Sequence, residues 1–376
     1  MNNSAKQFVR TMFLAIVVFV GCTIVAPTSF AFKLAPEGTA VEQAVAKKYL
    51  NWWRSIVATL TLKGLPHFSE PVHEEITHRI YGCDGDKDVC GNPDAGYATP
   101  YTIAGVRWND DPPFILSVGQ GKNTSCKIAE PIRFTTQPTC WVELFNDAKK
   151  KAEQNVAINA ASGMSLLARS HFGDLQFLHS MASRDGEEAL ATKQNIFVWA
   201  EFIWRVASGE YSLSTRLKGV KIEGFEKYFG NTEWTVQDLL TLGNPALRPH
   251  VKEVAFGSLL HMVEDSFAKG HVDRAEAIQG DMCELAKEYP APGRIRQFHA
   301  YGNQDTDEHG MYDSRNAFSA HWSTQKPSVI AVGQTIMSLL EKSSTWEQFK
   351  PYLECVYALE NPNAKASAGD AFIKTK

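Results

Sequence analysis

His261 and Asp265 stand four residues apart in "GSLLHMVEDSFAKGHVDR", residues 257–274, beside apolar Leu259, Leu260 and Val263. On a helix, positions i and i+4 share one face. An imidazole nitrogen and a carboxylate oxygen placed this way reach the same cation, and zinc takes such ligands at about 2.0–2.2 Å. His271 follows six residues after the aspartate, and "HGMYD" repeats the pair as His309 and Asp313. A lone histidine in an apolar helix reads as a satisfied core residue. Two His-x3-Asp pairs with an extra histidine do not, because a buried carboxylate needs compensation.

Further candidates lie upstream. "EPVHEEITHRIY" carries His73, Glu74, Glu75 and His78, "GVRWNDDPP" carries Asp110 and Asp111, and "ARSHFGDLQFLHSMAS" carries His171, Asp174 and His179. Plainer readings compete here. His78 and Glu75 fit a solvated helix face, and Asp111 fits a turn cap ahead of Pro112 and Pro113. "DGDKD", between Cys83 and Cys90, lacks the glycine and distal glutamate of an EF-hand loop and reads as a solvated disulfide loop. "NTS" at Asn123 is a glycosylation sequon in a eukaryotic secretory pathway. "NWWRS" fits either core or a lipid-facing edge. No G-x-S-x-G elbow is present, which argues against an ordinary serine lipase.

The elements that must position these groups read as helices. Apolar residues recur at three-to-four spacing in "AVEQAVAKKYLNWWRSIVATL", "WVELFNDAKKKAEQNVAINAASGMSLLARS" and "TKQNIFVWAEFIWRVASG", the last stopping at Gly209. "TVQDLLTLGNP" opens on Thr235 with Asp238 three residues on and stops at Gly243 and Pro245. "RPHVKEVAFGSLLHMVEDSFA", "PSVIAVGQTIMSLLEKS" and "TWEQFKPYLECVYALE" complete the set. "SLSTRLKGVKIEGF" is the one strand candidate. Long loops are expected over 82–99, 110–139 and 276–326, with a loose tail from Ala364. With no repeat, low-complexity run or dividing linker, the expectation is one all-α domain with long irregular loops over residues 32–376.

The chain has 376 residues, 44% of them hydrophobic, enough for a sizeable core. Residues 1–31 read as a secretory signal: Lys6 and Arg10, the apolar run "MFLAIVVFVGCTIV", then Ser29 and Ala31 at the small cleavage positions. The run is shorter than the about 20 residues a membrane span needs. Cleavage after Ala31 is favoured over a lipoprotein signal ending at Cys22, because Phe19 is unusual there. The expected location is secreted or periplasmic. Of 38 basic and 42 acidic residues, that segment removes Lys6 and Arg10 alone, leaving 36 against 42 and a net charge of −6. This disfavours a sequence-blind grip on nucleic acid phosphates. Cys83, Cys90, Cys126, Cys140, Cys283 and Cys355 remain, an even number that fits an oxidising compartment. The expected pairs are Cys83–Cys90, Cys126–Cys140 and Cys283–Cys355. No CxxC is present, so a cysteine zinc site is not expected.

The order of motifs resembles that of the zinc-dependent bacterial phospholipases C and the related fungal single-strand nucleases. The family's His-x3-Asp-x5-His core followed by His-x3-Asp/Glu is matched by His261, Asp265, His271, His309 and Asp313. His73 matches the histidine that opens a helix, Trp108-Asn109-Asp110 the Trp-x-Asp turn, and His179 or His171 the intervening histidine. "SHFGD" looks like a phospholipase run and "FLHS" like a nuclease turn. His179 is preferred, with His171 as the alternate or as its support. The resemblance implies an all-α fold and two or three zinc ions. Asp110, His179, His261 and Asp265 would hold the first. Asp265 would bridge to a second, completed by His73 and an N-terminal group. His271, His309 and Asp313 would hold the third. In the family the mature chain begins with a tryptophan that ligates zinc a few residues before the early histidine. Here the mature terminus would be Phe32, far from His73, so that contribution departs from the pattern.

The resemblance further implies phosphodiester hydrolysis at a two-metal site, with Asp110 beside the attacking water as ligand or base. The expected substrate is a phospholipid at a membrane or micelle surface, cleaved to diacylglycerol and a phosphorylated head group. The acidic mature chain, "SHFGD", the export signal and apolar Phe114, Ile115 and Leu116 favour it. A single-strand nuclease is the alternative, with Trp108, Phe172 and Phe177 as stacking platforms for bases. A non-catalytic zinc-stabilised binding protein is the third reading.

Overall fold

The computed structural model describes residues 71–83, 96–116, 124–230, 232–318 and 326–373. The expected leader, Phe32, the helix expected over 40–60, "NWWRS", "DGDKD", Cys90 and Asn123 lie outside the described residues.

The helices are α1 (Val72–Ile80), α2 (Pro100–Val106), α3 (Pro138–Glu153), α4 (Leu166–Phe172), α5 (Ala189–Ala207), α6 (Val236–Thr241), α7 (Val251–Asp265), α8 (Thr306–Tyr312), α9 (Arg315–Ala317), α10 (Val329–Glu341) and α11 (Trp346–Val356). Short turns of 3-10 helix link them. The sheet has two antiparallel strands, β1 (Val272–Arg274) and β2 (Ile295–Phe298), pairing Val272 with Phe298. The architecture is mostly α, as expected.

Helix α7 is the central post. From Val254 to Asp265 all its residues are buried, as expected for a helix apolar on nearly every side. It packs against α1, α2, α5, α6 and α10. Two glycines allow α2 to approach closely. A Cβ on Gly105 would lie 2.0 Å from Val254 O, and one on Gly257 would lie 2.0 Å from Thr102 O. A smaller cluster under α3 and α4 gathers Phe114, Ile132, Phe134, Trp141 and Phe145.

Several expectations needed correction. The run "WVELF…LLARS" is not one helix. It breaks after α3, where Asn155 takes a left-handed φ of 57°, and resumes only at α4. "SLSTRLKGVKIEGF" is not a strand; it holds a 3-10 turn, Leu217–Gly219, and one bridge from Arg216 to Thr235. The loop expected over 276–326 contains β2, α8 and α9. The segment from Ala364 is docked: Ala189 N and Gly186 N donate to Ala364 O and Ala366 O, and Ala300 N donates to Ser367 O. The capping box of Thr235 and Asp238 forms as expected. Cys126–Cys140 and Cys283–Cys355 form as expected, and Cys83 is disulfide-bonded too. These bridges suit an extracellular or otherwise oxidising compartment. Among the described residues no helix is long and apolar enough to cross a membrane.

Candidate metal centre

Helix α7 ends in the site. Its last turn points His261, Glu264 and Asp265 into a buried space, and His271 follows on the turn leading into β1. His73 comes from the first turn of α1, and Asp110 from the turn after α2. His179 closes the 3-10 turn Gln176–His179. The next residue, Ser180, has φ 53°, and its hydroxyl donates to Met262 O at 2.6 Å, pinning that turn to α7. His309 lies on α8 and Asp313 just beyond it. All nine expected ligands fall into three buried groups: His73, His261 and Asp265; Asp110, His171 and His179; His271, His309 and Asp313.

Closer contacts divide the first two groups differently. Asp265 Oδ2 lies 3.0 Å from His179 Nδ1 and 3.0 Å from His261 Nε2, and those two nitrogens are 3.2 Å apart. Asp110 Oδ1 stands 3.8 Å from His179 Nδ1 and 3.7 Å from His261 Nε2. Tetrahedral ligands at zinc bond lengths stand about 3.3–3.6 Å apart. Asp265 Oδ2 and the two nitrogens thus lie close enough to share one cation, with Asp110 Oδ1 beside them, the first set that the family resemblance implies. The other oxygen of Asp265 turns away, 3.2 Å from His73 Nε2, so one carboxylate offers an oxygen to each of two adjacent positions. At the third position Asp313 Oδ2 is 3.0 Å from His309 Nε2 and 3.6 Å from His271 Nε2. His171 lies beside His179, ring centroids 5.3 Å apart, and its Nδ1 faces Leu167 O at 3.0 Å. Both alternatives thus reach Asp110, with His179 in the tighter set.

For His73, His179, His271 and His309 an oxygen acceptor holds the outward ring nitrogen, which fixes the inward nitrogen as the ligating one; His261 Nδ1 has no such partner among the described residues. His73 Nδ1 meets Glu264 Oε2 at 2.9 Å, and Thr77 holds the other Glu264 oxygen at 2.8 Å. His179 Nε2 faces Asn109 O at 3.2 Å, and His271 Nδ1 faces His179 O at 2.7 Å. His309 Nδ1 meets Gln304 Oε1 at 2.6 Å. The Gln304 amide nitrogen donates to Gly270 O at 2.7 Å and Ala368 O at 2.8 Å, so its oxygen must be the acceptor. Neither Glu264 nor Gln304 has a motif signature in the sequence. Ala368 belongs to the docked C-terminal segment, and so does Phe372, whose ring packs on Tyr312 at 5.1 Å.

The electrostatics fit cations. Among the described residues, every ion-pair partner of Asp110, Asp265 and Asp313 is a histidine. Among the described residues, Asp110 Oδ1, Asp265 Oδ1 and both Asp313 oxygens are buried without a hydrogen bond. Three carboxylates buried in this way need positive charge. Burial pushes Asp110 well above the usual carboxylate range. Burial opposes the charge of Asp265 too, but His271, His261 and His73 hold it well below that range. Burial lowers His261 to about 3. His271 is raised to about 9, because Asp265 and Asp313 outweigh its burial.

Other sequence candidates do not join the site. Asp111 is buried elsewhere and accepts from Phe134 N and from Trp141 Nε1 at 2.9 Å, so it ties the smaller cluster together rather than capping a turn. Glu74 pairs with Arg107 at 2.7 Å, Glu75 with Arg315, and Asp174 with Arg169 at 2.8 Å. His78 is buried against Tyr97, not solvated. Trp108 and Phe177 are 1% exposed and Phe172 8%, so none is a platform for bases. Of the apolar loop residues, Phe114 and Leu116 are buried and only Ile115 is exposed. Compared with protein-family models, with curated proteins and with solved structures, the chain matches none of them.

Proposed function

We propose that the chain is a secreted or periplasmic multi-zinc phosphodiesterase of the phospholipase C type. The observation that carries this reading is Asp265, with Oδ2 against His179 and His261 and Oδ1 turned to His73. A carboxylate shared between two such positions suits a pair of adjacent dications. When bound, zinc ions lower the pKa of a shared water and stabilise charge on phosphoryl oxygens.

The chain's own residues do the rest. Asp265 fixes the spacing of the two positions. His261, Asp265, His271 and His309 are fully buried, whereas His73, Asp110 and Asp313 keep slight exposure. Those three therefore mark the side from which a substrate enters. Asp110, ionising reluctantly because it is buried, is placed at that rim to accept a proton or to ligate. Among the described residues His271, His309 and Asp313 supply three ligands, which leaves room for a substrate oxygen and favours a catalytic over a closed structural site. With no serine or cysteine nucleophile in the set, direct attack by water follows.

The phospholipid reading rests on the acidic mature chain and the motif resemblance. The burial of Trp108, Phe172 and Phe177 removes the aromatic argument for a nuclease. The test compares phosphatidylcholine micelles with single-stranded DNA at equal enzyme and zinc, with and without a chelator. Chelator-sensitive release of diacylglycerol and phosphocholine is expected. Nucleotide release without diacylglycerol would make it a nuclease, and no turnover of either would leave a zinc-binding protein.

A further inference from the structure

Arg133 sits on the turn that leads into α3, near Asp111, the residue after Asp110. Its backbone is fixed there: Arg133 N donates to the Thr136 hydroxyl oxygen at 3.0 Å, and Arg133 O accepts from Thr136 N and Gln137 N. Its Nε and Nη2 are buried, and among the described residues neither has a hydrogen-bond partner. Nε and Nη2 form one edge of the guanidinium fork, the edge that matches two oxygens of one anion.

The same molecule shows how that edge is normally filled. Arg169 places Nε 2.8 Å from Asp174 Oδ1 and Nη2 3.0 Å from Asp174 Oδ2. Arg315 holds both oxygens of Glu75 in the same way. At Arg133 the nearest acid is Asp111, but its carboxylate is committed to Phe134 N and Trp141 Nε1. Burial lowers the affinity of Arg133 for its proton, and Asp111 offsets this only in part. The residue as a whole is partly exposed, so the fork lies just beneath the surface. The N-terminus of the 16-residue α3 follows on the same turn, without a side-chain cap, and adds positive potential there.

We propose that the Nε/Nη2 edge of Arg133 is an oxyanion site that takes two oxygens of a phosphate group. The choice of phosphate over carboxylate rests on the phosphodiesterase reading. The group is either that of the substrate and its phosphorylated product or free inorganic phosphate.

The test is calorimetric titration of the zinc-loaded full chain with inorganic phosphate and, separately, phosphocholine, for wild type, Arg133→Gln and Arg133→Lys. Losing a charged bidentate contact should weaken binding about ten- to a hundredfold in Arg133→Gln. Lysine keeps the charge without the fork and should fall between. Weakening for phosphocholine alone identifies the product's phosphate, and equal weakening for both identifies a general phosphate site. The thermal midpoint of Arg133→Gln should drop, since the variant also removes the positive charge beside the buried Asp111 carboxylate, whereas Arg133→Lys keeps it. Should that variant fail to fold, Arg133→Lys decides alone. Wild-type affinity for both ligands in a folded variant overturns the proposal. Binding is read without turnover. A chain that binds phosphate through Arg133 yet cleaves no diester keeps the site and loses the phosphodiesterase reading. Turnover with Arg133-independent affinity does the reverse.

Discussion

Gln304→Leu tests the link between the C-terminal segment and the metal centre. Gln304 is 2% exposed and spends its whole amide on three partners: Gly270 O, Ala368 O and His309 Nδ1. Leucine has similar bulk and none of these bonds. Gly270 O still has the His299 ring nitrogen at 3.1 Å, so the loss falls on Ala368 O and on His309. A buried polar group deprived of its partner costs about 1–3 kcal/mol, so two such groups cost about 2–6 kcal/mol of stability in all. Freed of its acceptor, His309 no longer has a set tautomer, and outer-shell losses of this kind weaken metal binding about 10–100-fold. Gln304→Glu keeps the acceptor for His309, so it should hold metal more tightly than Gln304→Leu, although its second oxygen then faces Gly270 O and Ala368 O and costs stability. The assay is a competitive chelator titration of each variant, paired with its thermal midpoint. If Gln304→Leu folds and releases no metal more readily than wild type, the orienting role assigned to Gln304 is wrong.

The remaining predictions concern the ions themselves. Mature protein should carry two or three zinc ions by elemental analysis, and less than one per chain would sink the metal reading. Asp265→Asn should lose more metal and more activity than Asp313→Asn, because only Asp265 offers oxygens to two positions; the opposite order would refute the bridge. His271, raised from 6.5 to about 9, adds stability to the metal-free fold that is complete below 6.5 and is lost as pH climbs through 9. The chelated protein should therefore melt at progressively lower temperature across that window, and a rising midpoint would count against the assignment.

Local spacing carries far in this sequence. His261–Asp265 and His309–Asp313 sit one turn apart because i and i+4 share a helix face whatever the fold around them. Thr235 and Asp238 close their capping box for the same local reason, and Cys126–Cys140 and Cys283–Cys355 pair as expected. Other features depended on contacts between distant parts of the chain. His73 and Glu264 are 191 residues apart and meet only because α1 packs beside α7. The close approach of α2 at Gly105 and Gly257 carries Asp110 to the same place. Apolar residues read the same whether they face lipid, bases or core, so the burial of Phe114, Leu116 and Trp108 was not legible in them. The segment from Ala364 looks like tail by composition. Its backbone is held by Ala189, Gly186 and Ala300, and through Ala368 it steadies Gln304 behind His309. Spacing along the chain determined which residues could ligate. Tertiary packing decided which of them share an ion and what holds them still, because those contacts join atoms that are near in space and far in sequence.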